Sequence, residues 1–274
     1  MGTGEARIPK MESGNPSIQT TGEEMISLSG VHKSYGENVV LKGIDLSVGK
    51  GTIHGFLGPN GAGKSTSLKI LLGILKVDKG TVEVGGVDPS VDPVGARRQI
   101  GFVPEELSLY EHLTPHEFLH VLGEIHGMER ERTDKRIGDF LDLFQIGDVR
   151  HHLLSAFSRG MKQKVMITAA LLHDPAILLL DEPLSGMDVN AVLVFRDLIR
   201  SLAEEGKTIV YSSHIIEVVE RVCDRVSLLI EGKIVHEGSM EDVRREAGSL
   251  EEIFRKEAVG ANFFEVSHEI ISRL

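Results

Sequence analysis

Residues 58–65 read Gly58-Pro59-Asn60-Gly61-Ala62-Gly63-Lys64-Ser65, followed by Thr66. They satisfy the pattern G-x-x-x-x-G-K-[ST] in full. The stretch just before, Thr52-Ile53-His54-Gly55-Phe56-Leu57, has the short apolar character of a strand. Just after it, Leu68, Leu71, Leu72 and Leu75 fall at i, i+3, i+4 and i+7, one face of a helix that starts near Lys64. Strand, glycine-rich turn and helix in that order let the backbone wrap tightly and aim successive N–H groups inward. The helix N-terminus adds partial positive charge at the same point. This is a seat for phosphate. Lys64 is expected to reach the β- and γ-phosphates of a nucleotide, and the Ser65 hydroxyl to ligand Mg²⁺.

A second signal lies over a hundred residues downstream. The apolar run Ile177-Leu178-Leu179-Leu180 ends in Asp181-Glu182. A strand that delivers a carboxylate beside a phosphate loop supplies a second contact to Mg²⁺, here Asp181. Glu182 is then placed to orient or deprotonate an attacking water. Between and around these signals, short apolar strands alternate with helical periods. Strands are expected at Met25–Val31, Val39–Leu41, Ile44–Val48 and Thr208–Tyr211, and a helix near 190–205. Residues 105–173 read as helical, with Thr114, Pro115 and Glu117 as N-cap, first helical residue and capping-box partner. The fold class is α/β: a mixed sheet covered on its faces.

The ordered set of motifs resembles the ATP-binding subunits of ABC transporters over roughly residues 25–245. Gly58–Thr66 and Leu178–Pro183 resemble that family's Walker A and Walker B segments, Leu184-Ser185-Gly186-Met187-Asp188 its D-loop, and Ser212-Ser213-His214 its switch histidine. Phe157-Ser158-Arg159-Gly160-Met161 stands where the signature, usually Leu-Ser-Gly-Gly-Gln, would fall; Ser158 and Gly160 match it and the other three do not. Tyr35 resembles the aromatic residue that stacks on adenine. The family's glutamine near Mg²⁺ is replaced by Glu105, after Ile100-Gly101-Phe102-Val103-Pro104.

The resemblance implies a P-loop ATPase core with a small antiparallel β part and a helical subdomain at about 105–173. It implies head-to-tail pairing with a second copy, ATP lying between the phosphate loop of one and Ser158, Gly160 and Asp188 of the other. It also implies a catalytic part for His214 beside Glu182 and Lys64, and a separate membrane permease that uses the resulting motion. The Pro104-Glu105 pair and the relaxed signature resemble the exporter branch. Residues 1–24 read as a flexible tail and 246–274 as a C-terminal helical extension.

Composition narrows the choice. The 274 residues carry 30 Lys plus Arg against 41 Asp plus Glu, a net charge of -11, which argues against a surface built to coat nucleic acid. No apolar run of membrane-spanning length and no signal peptide are evident, so the chain is expected to be cytoplasmic, peripheral at the inner face of the membrane through its permease. A single cysteine, Cys223, sits between valines and reads as a buried structural thiol. Two other functions remain to be weighed. One is a soluble ATPase of the same family acting on a non-transport partner. The other is a zinc peptidase, because His116-Glu117-Phe118-Leu119-His120-Val121-Leu122-Gly123-Glu124-Ile125-His126 matches H-E-x-x-H-x-x-G-x-x-H. The peptidase lacks its context: a nucleotide-binding half lies upstream, and the Met-turn it needs is better explained by the D-loop. His116 and His120 nevertheless share a helix face at i, i+4, which makes metal capture easy.

Overall fold

The structure, a computed structural model, describes residues 23–258. The tail predicted at 1–24 and the last part of the predicted C-terminal extension lie almost wholly outside them. In chain order the elements are β1 (Glu24–Tyr35), β2 (Asn38–Gly49), β3 (Ile53–Leu57), α1 (Lys64–Leu71), β4 (Lys79–Val84), α2 (Pro93–Arg98), β5 (Ile100–Val103), α3 (Pro115–Ile125) and α4 (Arg130–Leu143). There follow α5 (Arg159–Leu172), β6 (Ile177–Asp181), α6 (Val189–Glu204), β7 (Thr208–Ser213), α7 (Ile216–Val222), β8 (Arg225–Ile230), β9 (Lys233–Ser239), α8 (Met240–Ala247) and α9 (Leu250–Ala258).

Two sheets form. The smaller is antiparallel, in the order β2-β1-β4. The larger runs β5-β6-β7-β3-β8-β9, parallel throughout except for β9. Its central strands are buried on both sides, which is why they read as unbroken apolar runs. The side-chain period of two divides each run between two cores. Ile53, Leu57, Leu178, Leu180, Ile209 and Tyr211 join α3–α7 in one core. Phe56, Ile177, Leu179 and Val210 join the small sheet and α1 in the other. The helix that follows the phosphate loop is therefore wedged between the two sheets, and the loop is rigidly carried.

The sequence places the elements well, with three differences. The two predicted strands at 39–48 are one strand, β2, because Gly43 takes a positive φ of 84° and lets the strand continue through a register shift. The leucine-faced helix stops at Leu71, since Gly73 has φ 62° and turns the chain away; Leu75 still packs on the core, from outside the helix. Residues 104–114 are not helical, and the helical region opens only at Pro115, where the expected capping box forms: the Thr114 hydroxyl accepts from Glu117 N–H and the Glu117 carboxylate accepts from Thr114 N–H. At the C-terminal side α9 is packed rather than loose, with Leu250 and Ile253 buried in the first core. Cys223 is buried, and burial pushes its thiol pKa far above the usual range.

The core holds one imidazole whose titration is tied to folding. His54, on β3, is fully buried and its Nε2 lies 2.8 Å from the Ser227 hydroxyl of β8. Burial, aided by the charge of Arg225, pushes its pKa down to about 3. The unfolded chain protonates this ring near pH ~6.5, so between about 3 and 6.5 the unfolded state binds more protons. Stability contributed by the neutral ring is complete above that window and is lost as pH falls, by up to ~1.4 kcal/mol per pH unit. NMR titration of the folded protein should show the His54 ring unchanged from pH 7 to 5 while the denaturation midpoint drops; a ring that titrates near its ordinary value would refute this.

Candidate functional site

Parallel pairing of β3, β7 and β6 sets three strand ends at one edge of the sheet: Leu57 is opposite Ser213, and Asp181 is opposite Ser212. The phosphate loop leaves β3 there. Gly58 is required because a Cβ would sit 2.2 Å from the carbonyl oxygen of Leu229. Gly63 is required twice over, by φ 114° and by a Cβ that would lie 2.6 Å from the Leu41 side chain. Gly63 is also the N-cap of α1, so no side chain caps this helix, and its first turn contains no acidic residue. Its terminal N–H groups are thus left for an anion.

Asn60, Gly61, Gly63, Lys64, Ser65, Thr66, Glu105, Asp181 and Glu182 line a single cleft of about 390 Å³. Pro59 and Ala62 complete the loop without lining it; Ala62 is buried beneath. The buried Lys64 ammonium donates to the carbonyl oxygens of Gly58 (2.6 Å) and Pro59 (3.2 Å). Burial lowers its pKa, against the opposing pull of Glu182, Asp181 and Glu105. One cation faces three carboxylates, so the cleft as built carries excess negative charge that a divalent cation would offset. The Ser65 hydroxyl with the carboxylates of Asp181 and Glu105 is an all-oxygen donor set, the chemistry that Mg²⁺ takes.

Behind these groups lies a fixed hydrogen-bond frame. Asp181 accepts from the Ser212 hydroxyl at 2.8 Å. Glu182 accepts from the Ser213 hydroxyl at 3.0 Å and from the backbone N–H of His214 at 2.8 Å, and the His214 ring Nδ1 lies 2.6 Å from the same carboxylate oxygen. Glu182 has φ 48°, a left-handed conformation that non-glycine residues seldom adopt. Such strain is held by its surroundings, here the side-chain bonds and the bond from Glu182 N–H to the Ser212 carbonyl (3.0 Å). The arrangement orients one carboxylate at the cleft mouth with an imidazole against it.

The remaining predicted residues lie elsewhere. Tyr35 ends β1 opposite Asn38 and is half exposed, outside the cleft lining. Ser158 caps α5, its hydroxyl accepting from Met161 N–H. Gly160 is where α5 meets the segment after β6, since a Cβ would stand 2.5 Å from the Gly186 carbonyl oxygen. Asp188 caps α6 through Ala191 N–H (2.8 Å) and pairs with Lys164 of α5 (3.1 Å). Hydrogen bonding to that N–H, then to Lys164, holds its carboxyl below the usual range. Ser158, Gly160 and Asp188 all lie outside the cleft lining of this chain. The sequence reading missed Asn38 and Val40, which line the cleft, and the buried Gln163, whose amide donates to the Pro183 carbonyl at 2.8 Å and ties α5 to the Walker B turn. No local motif marks them; they arrive through sheet pairing and helix packing.

The peptidase motif is dismantled by the same helices. Glu117 is engaged by Thr114, and His126 turns away to stack on His173 at 3.7 Å between ring centroids.

This fold and site define an ATP-binding cassette. Residues 41–185 match the family described as ABC transporter. An uncharacterized ABC transporter ATP-binding protein of Methanocaldococcus jannaschii is 40% identical over 226 residues, 82% of each chain. The linearmycin resistance ATP-binding protein LnrL of Bacillus subtilis is 36% identical, covering 80% of this chain and 70% of its own. Among solved structures, a dimeric post-hydrolysis ATP-binding cassette bound to ADP and Pi superposes with a TM-score of 0.73 at 29% identity, covering 79% of this chain and 99% of that one. The chain belongs to the ABC transporter family and is an ATP-binding subunit with the ATPase fold. Among the described residues no helix is long and apolar enough to cross a membrane.

Proposed function

We propose that two copies of this chain clasp and hydrolyse ATP to drive export through a separate membrane permease. The observation that carries this is the convergence of Lys64, Ser65, Glu105, Asp181 and Glu182 on one cleft. The loop from Gly58 to Thr66 and the open N-terminus of α1 receive the phosphates, and Lys64 exchanges its two carbonyl partners for phosphate oxygens. Ser65, Asp181 and Glu105 would hold Mg²⁺, which when bound would neutralise phosphate charge. Glu182 accepts a proton from the attacking water, and His214, resting on that carboxylate, fixes its orientation. Tyr35, exposed beside the cleft, offers a ring face to the adenine.

Pairing brings Ser158, Gly160 and Asp188 of the second copy over the nucleotide. The dimeric relative bound to ADP and Pi supports such an arrangement. The name of the linearmycin resistance relative supports outward transport. Residues 25–245 act as the ATPase unit, with 105–173 as its helical arm and the segment from 246 appended to it, and the subunit sits at the inner face of the cell membrane.

The permease would meet an apolar groove floored by Leu72, Ile100 and Phe102 and edged by Ile74, Val94 and Ile125. The three edge residues are 58%, 58% and 72% exposed and share one groove, and contiguous exposed apolar surface of this kind marks interaction sites. Phe102 in the groove is three residues from Glu105 in the cleft, so a short segment links partner to nucleotide.

Replacing Glu182 by Gln should leave ATP binding intact, cut turnover by roughly 10²–10⁴-fold, and accumulate an ATP-dependent dimer in size-exclusion chromatography. Turnover near wild type would defeat the assignment of Glu182; slow turnover without a dimer would defeat the pairing. The double substitution Ile74→Asp and Ile125→Asp should abolish co-purification with a multispanning protein in mild detergent while the isolated chain still hydrolyses ATP. Retained co-purification would place the partner elsewhere.

A further inference from the structure

The second candidate donor set is in the helical region and owes nothing to the nucleotide cleft. His116 and His120 lie one turn apart on α3, and both ring Nε2 atoms point at one carboxylate oxygen of Asp134 on α4, at 3.1 and 2.6 Å. The three donor atoms all lie within 4.8 Å of one another. We propose that His116, His120 and Asp134 bind a divalent transition ion of the zinc type that staples α3 to α4.

The convergence is built by the backbone. Gly123, on α3, has no side chain where a Cβ would stand 2.6 Å from the Thr133 methyl of α4. That close approach sets the spacing of the two helices, and Asp134, the next residue after Thr133, is carried against the histidine face. Gly123 therefore serves helix packing, not the peptidase motif in which it happens to fall. A third imidazole stands near: the backbone N–H of His116 donates to the Arg150 carbonyl (3.3 Å), and the His151 ring centroid lies 5.4 Å from that of His116. His151 is exposed and offers a further donor for a fourth position.

The donor chemistry selects the ion. Two neutral imidazoles with one carboxylate suit zinc and its neighbours, whereas Mg²⁺ and Ca²⁺ prefer oxygen donors alone. Ligands 2.0–2.2 Å from a tetrahedral ion stand roughly 3.3–3.6 Å apart, so an ion between Asp134 and the two rings needs the Asp134 oxygen to retreat by under about 1 Å. Asp134 can do so, because its side chain is 48% exposed while those of His116 and His120 are 31% and 15% exposed. Glu117, which water activation would require, is spent in the helix cap. The site is structural rather than hydrolytic.

The test uses the untagged full chain titrated with Co²⁺ and then Zn²⁺ alone. The wild type should take up one equivalent of Co²⁺ with the intense visible absorption of tetrahedral coordination, be displaced by Zn²⁺, and melt at a higher temperature with Zn²⁺ present. Asp134→Asn, at an exposed position, and His116→Gln should each weaken binding about 100-fold or more, above the 10–100-fold typical of losing an outer-shell partner. Both should melt like the metal-free wild type and keep its ATPase rate. Less than one equivalent on the wild type, or binding unchanged in both variants, overturns the proposal.

Discussion

Everything at the nucleotide site depends on the parallel pairing of β3 with β7 and of β7 with β6. Those two registers bring residues 58 and 181, more than a hundred positions apart, to the same sheet edge. Without them the phosphate loop is a helix start with an anion seat, and Asp181-Glu182 is an acidic strand end. With them, a buried ammonium confronts three carboxylates across one cleft, and neither charge is placed at random. The net charge of -11 says little here, because the local arrangement of Lys64 and the free N–H groups decides what the cleft attracts.

Rigidity is supplied from both faces. Alternate residues of the central strands feed two separate cores, so the strand ends cannot shift without disturbing packing on both sides. This frame tolerates the left-handed backbone at Glu182, which sparsely populated conformations cost of the order of 1–3 kcal/mol. In return, the carboxylate is aimed by Ser213 and His214 on the neighbouring strand end. Ser158 and Asp188 are fixed in a similar way, by the helix caps they make and by the ion pair between Lys164 of α5 and Asp188.

Much of this was legible in the sequence because it is local. The glycine pattern, the leucine face of α1, the apolar run of β6 and the Thr114–Glu117 capping box each lie within a few residues of one another. What was not legible depends on pairing at a distance. Asn38 and Val40 reach the cleft only through the hairpin of β1 and β2, which is tied beside the loop by Lys42 N–H to the Gly232 carbonyl. Tyr35 was singled out by resemblance alone, and the strand that carries it leaves it outside the lining. The eleven-residue histidine motif, discounted as a peptidase for want of context, shows the limit of local spacing. Its spacing was complete, but α3 ends at Ile125, and its Glu and third His have other partners, while Asp134 of the next helix, invisible to the motif, completes the donor set.

The central claim is that the Lys64 cleft is where ATP binds. Titration of a fluorescent ATP analogue into wild-type and Lys64→Ala chains, in Mg²⁺, tests it most directly. Loss of a charge-assisted contact worth ~1.5–3 kcal/mol predicts saturable binding in the wild type and affinity weakened by roughly 10- to 150-fold in the variant. Equal affinity in the two chains would contradict the account.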